Sequence, residues 1–155
     1  MTKKTVIIGC GSSLRGDDAI GPAVLKILKE KTLPENIRLI DAGLPGIGLL
    51  DLLAGYDSAV LVDAVLNGGP AGEVLEFDLS ALEDHKLRPV SLHDLDLAEV
   101  LALGYLLRRE EMPQQLSFIG ITVNPDALSP GLPLSAAAQA GTARAAALIT
   151  GRLAG

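Results

Sequence analysis

Residues 5–31 read TVIIGCGSSLRGDDAIGPAVLKILKEK, and this stretch sets the fold class. Thr5–Gly9 is a β-branched run ending in glycine, the pattern of a buried strand. Gly11–Asp17 is turn-rich. From Asp18 to about Lys31, Ile20, Val24, Ile27 and Leu28 recur at helical spacing. Pro22 falls in the first turn, where a missing N–H is tolerated. Working outward, strand-like segments recur at Ile37–Ile40, Ala59–Val65, Gly72–Leu79 and Leu116–Val123. Helical ones recur at Gly46–Leu53, His93 to about Arg108, and Ser135–Leu153. Val74, Phe77 and Leu79 stand among acids, which suits an edge strand with one wet face. Ser91 and Asp94 resemble a capping box at the start of the His93 helix. Strands alternating with helices predict a three-layer α/β/α sandwich around a largely parallel sheet, built as one domain over residues 1–155.

Composition narrows the function. The chain has 155 residues, a net charge of −6 and one cysteine, Cys10. A lone cysteine excludes an internal disulfide, zinc ribbons and cysteine-ligated iron–sulfur clusters. The acidic balance opposes phosphate-backbone binding, and four aromatic residues are too few for a base-stacking platform. No nucleic-acid partner is expected. No run is long and apolar enough to span a membrane, and the N-terminal apolar run is too short for a signal-peptide core. A cytoplasmic protein with no membrane partner is the expectation.

In open α/β sheets, sites gather at the carboxyl ends of parallel strands. The first strand feeds Asp17 and Asp18, the second ends at Asp41, and the third carries Asp63 near its end. Together with His93, which opens a helix, Asp18 and Asp63 are expected at one rim. Asp63 carries the most weight. It interrupts Val60-Leu61-Val62 and Ala64-Val65, where a buried carboxylate is costly unless paired, hydrogen-bonded or metal-bound. The others have ordinary readings beside the functional one. Asp17 reads as a helix N-cap, Asp18 as a dipole partner, Asp41 as a turn acid, His85 as a solvated loop residue and Cys10 as a small packed residue. Two carboxylates and an imidazole suit a borderline divalent ion such as nickel or zinc. No HExxH or GxSxG motif accompanies them. The competing reading is a dinucleotide loop, since Gly9 and Gly11 follow a strand and Asp41 ends the next. Leu14 stands where that fingerprint needs its third glycine, and Asp17 and Asp18 would repel a pyrophosphate.

The run Ile7-Ile8-Gly9-Cys10-Gly11-Ser12-Ser13-Leu14-Arg15-Gly16-Asp17-Asp18-Ala19-Ile20-Gly21-Pro22 resembles the opening signature of the [NiFe]-hydrogenase maturation endopeptidases. Asp41-Ala42-Gly43 with Gly46, Leu61-Val62-Asp63-Ala64 and Ser91-Leu92-His93-Asp94-Leu95 resemble that family's later elements, in order. The resemblance implies five strands, one antiparallel, in a monomer. It implies an endopeptidase that removes a C-terminal extension from the hydrogenase large-subunit precursor after nickel insertion. Nickel would come with the precursor rather than be held tightly by the enzyme. Asp18, Asp63 and His93 would be both metal-contacting and catalytic residues, with Asp41 and Gly43 on the substrate side. Two positions depart from the pattern: Ser12 replaces its usual asparagine and Leu44 its usual threonine.

Overall fold

Thr5–Cys10 forms β1, whose residues after Thr5 are all buried. Such a strand needs cover on both faces and a neighbour on both edges. In the computed structural model, residues 2–78, 90 and 97–154 are described, Leu97 and Ala98 by backbone alone. The other strands are β2 (Ile37–Gly43), β3 (Ser58–Val65), β4 (Val74–Asp78) and β5 (Gln115–Thr122). The sheet order is β2-β1-β3-β5-β4. β1 pairs in parallel with β2 and β3, and β3 with β5, while β4 lies antiparallel on β5. The three-layer arrangement with one antiparallel edge strand is the expected one.

The described α-helices are α1 (Ile20–Lys29), α2 (Leu49–Leu53), α3 (Leu97–Leu107) and α4 (Ala136–Ala154). Strand alternation divides the interior in two. Ile7, Val62, Ala64, Ile119 and Ile121 pack with α1 and α4 through Val24, Leu25, Leu28, Ala145 and Ile149. Val6, Ile8, Cys10, Leu61 and Phe118 pack with α2 and α3 through Leu49, Leu53 and Leu101. Close packing of α1 on β1 depends on glycine. A Cβ on Gly9 would lie 2.7 Å from the Gly21 carbonyl oxygen, so neither side tolerates a larger residue.

Two local details differ from the sequence reading. The segment before α1 is a 3-10 turn, Gly16–Ala19, which brings the chain over the end of β1 before the α-helix begins. β2 also runs on to Gly43, with a register shift beside Gly9 and Cys10. Asp41 stands opposite Gly9 before the shift, and the shift sets Gly43 opposite Cys10. The expected capping box at Ser91 and Asp94, and the loop containing His85, lie outside the described residues. Among the described residues, no helix is long and apolar enough to cross a membrane.

Candidate active site

All four parallel strands point their carboxyl ends to one rim, and the acids follow from that topology. Asp63 has the parity of Ala59, Leu61 and Val65, so its side chain leaves the sheet on the face that carries Ile8 and Cys10. It is fully buried, and its Oδ1 accepts the Ala64 N–H at 2.8 Å. A carboxylate there interrupts an apolar strand, where its burial is costly unless partners compensate it.

Asp18 arrives from the 3-10 turn. It is 1% exposed, and its Oδ2 accepts the Ser12 N–H at 3.2 Å. Its own N–H donates to the Arg15 carbonyl at 3.1 Å. The loop closes on Asp18 only because residue 11 is glycine. Gly11 has φ +129°, and a Cβ there would overlap the Asp18 carbonyl oxygen and lie 3.2 Å from its Oδ1. The Ser12 N–H that a phosphate would need is thus taken by a carboxylate, which disfavours the dinucleotide reading.

Asp41 lies two residues before the end of β2 and is exposed, with its Oδ1 accepting the Gly43 N–H at 3.2 Å. Gly43 in turn accepts the Gly11 N–H at 2.8 Å, which ties the second loop to the first. Gly43 and Gly46 have φ +60° and +56°, with open space where a Cβ would stand. Such left-handed, uncovered glycines let another backbone approach closely.

Cys10 ties these acids together electrostatically. Burial pushes its thiol well above the usual range, and the charges of Asp63, Asp41 and Asp18 add to that in decreasing order. The thiol therefore stays protonated and is no nucleophile. It serves as a small apolar residue in the core. The three carboxylates lie near enough to the end of β1 for their charges to act on the Cys10 thiol. His93, the expected third ligand, lies outside the described residues. Among the described residues, no three histidine, cysteine, aspartate or glutamate side chains form a metal-holding group.

Asp17 is not the N-cap that its position suggested. Ala19 holds that place for α1, without a side-chain cap. The Asp17 carboxylate instead accepts the Ser135 N–H at 2.8 Å and the Ser135 hydroxyl at 2.7 Å. The same hydroxyl accepts the Ala138 N–H, so Ser135 caps α4 while gripping the first loop. Serine before an alanine-rich helix signals a cap. Nothing local signals a partner 118 residues away. At the opposite end of the sheet, an open depression lined by Ser58, Tyr105, Leu116 and Arg152 lies away from these acids.

Comparison with known proteins places the chain. The family model HycI, hydrogenase maturation protease, matches residues 22–152. The hydrogenase 2 maturation protease of Escherichia coli (strain K12) is 28% identical over 142 residues, 88% of this chain and 82% of that one. A putative hydrogenase maturation protease of Methanocaldococcus jannaschii is 35% identical over 104 residues, 65% of this chain and 68% of that one. The solved structure of the hydrogenase maturating endopeptidase HybD from E. coli superposes with a TM-score of 0.82 at 25% identity, covering 97% of this chain and 91% of that one. With that match along the chain and the same architecture, the protein belongs to the hydrogenase maturation protease family and is a peptide hydrolase.

Proposed function

We propose that the protein removes a C-terminal extension from the large-subunit precursor of a [NiFe]-hydrogenase once nickel is in place, and that the precursor's nickel is its recognition signal. The carrying observation is Asp63, a fully buried carboxylate in an apolar strand, at the same rim as the glycine-cradled Asp18. In this reading Asp18, Asp63 and His93 meet the nickel that the substrate brings. Carboxylate oxygens and an imidazole are suitable donors for it. An incoming ion also neutralises the field that the acids concentrate around Cys10. Nickel is a Lewis acid, able to polarise a carbonyl or to lower the pKa of a bound water. The chain's own residues then hold the substrate. Asp41 and the open backbone at Gly43 flank the extended segment to be cut, and the Asp17–Ser135 contact keeps the first loop rigid. The enzyme acts as a monomer in the cytoplasm.

The test is intact-mass spectrometry of nickel-loaded large-subunit precursors, one from each hydrogenase class, with and without the protein. Loss of a single C-terminal peptide, absent from nickel-free controls, is the expected result. No mass change with any of them overturns the reading.

A further inference from the structure

Eight large apolar side chains stand exposed among the described residues, and four of them lie on loops at the carboxyl rim. Leu14 is 75% exposed, Leu44 61%, Ile47 64% and Leu132 46%. Single exposed leucines need no explanation, but four on three loops around one acidic site do. Nor are these loops free to fold their side chains inward. The Gly131 N–H donates to the Leu14 carbonyl at 2.9 Å, and Gly16 packs against the Ala127 carbonyl and Leu132. Leu14 and Leu132 are therefore held on one flank. On the other flank, the bond from Gly11 to Gly43 fixes the turn that presents Leu44 and Ile47. The first loop runs between the two, with the Asp18 carboxylate tucked under Gly11.

We infer that Leu14, Leu44, Ile47 and Leu132 form an apolar ledge that grips apolar side chains of the polypeptide substrate around the bond to be cut, and thereby select the precursor. The inference rests on the proposed function and adds the chemistry of docking to it. The occupant follows from the site. A peptide hydrolase must seat a polypeptide at its reacting rim, and the ledge is continuous with that rim. In the proposed reading nickel tells a loaded precursor from an unloaded one, and contacts to a peptide backbone read no sequence, so neither distinguishes one nickel-bearing polypeptide from another. Burial of side chains does.

The experiment measures processing kinetics on a nickel-loaded large-subunit precursor with Leu14→Ser, Leu44→Ser and Ile47→Ser, singly and combined. Leu106→Ser, on the outer face of α3, is the control, and melting temperatures and molar mass in solution are recorded for each. The expected result is a KM raised about tenfold per ledge residue (about 1.4 kcal/mol each). The kcat stays within about twofold, and the control behaves as wild type. Unchanged KM values with wild-type cleavage overturn the ledge and leave the proposed function standing. Unchanged KM values with a shifted monomer–dimer equilibrium overturn it in favour of a second copy of this chain. Failure of the wild-type protein to cleave any precursor overturns the proposed function and the ledge with it.

Discussion

Gly11→Ala probes the feature that makes the rim possible, the closure of the first loop on Asp18. Two costs add. Residue 11 sits at φ +129°, where an L side chain is strained by about 1–2 kcal/mol. The new Cβ also meets the Asp18 carbonyl oxygen well inside 3.0 Å, a distance that real Cβ atoms do not reach. That oxygen belongs to the backbone and cannot swing away, so overpacking adds about 1–3 kcal/mol. Destabilisation of about 2–5 kcal/mol lowers Tm by about 5–15 °C in a chain of this size. To relieve the overlap the chain must part by about 1 Å, and with Asp18 in its proposed role a displacement of that size costs about 100-fold in rate. Gly55→Ala supplies the comparison. Its φ is +90°, but no atom lies within 4 Å of its Cβ position, so only the strain applies. The assays are thermal denaturation and precursor processing on both variants. Equal Tm losses for the two, or wild-type processing by Gly11→Ala, would refute the argument that the loop is closed by contact with Asp18.

Three further outcomes are expected. Asp63→Asn keeps the size and the Ala64 contact, so the protein folds while processing falls by at least about 100-fold, the scale of losing one transition-state contact; normal processing removes Asp63 from the site. Asp17→Asn and Ser135→Ala each destabilise the fold by about 1.5–3 kcal/mol, and a double-mutant cycle in denaturant gives a coupling above about 1 kcal/mol. Strict additivity would mean that the two do not hold the loop to α4. Cys10 gives a pH dependence. Its folded thiol is raised above the ordinary 9.0, so its contribution is complete below that value and is lost as pH rises through it. Above pH 9 the wild-type protein loses stability faster than Cys10→Ala, by about 1.4 kcal/mol per pH unit. Parallel stability–pH curves for the two would show that the thiol ionises freely in the folded state.

Local pattern carried a large part of the architecture. A β-branched run followed by glycines, acids and a 3.6-residue apolar period can only be a strand, a turn and a helix, and its repetition implies a parallel sheet. Asp63 was legible for the same reason: period and composition show burial, and a charge inside a buried run is conspicuous. Asp18, Asp41 and Asp63 could be placed at one rim because parallel strands share a direction, whereas Gly43 came only from the family resemblance. The tertiary structure alone decided how they meet. Sheet order sets β2 and β3 on either side of β1, so that Asp18, Asp41 and Asp63 all act on Cys10. The same folding turned Asp17 from an apparent helix cap into a clamp on Ser135, and left Leu14, Leu44, Ile47 and Leu132 facing outward. Periodicity records whether a residue is buried by its own element. It holds no information about which distant backbone N–H a carboxylate reaches, or which leucine a pinned loop keeps in water.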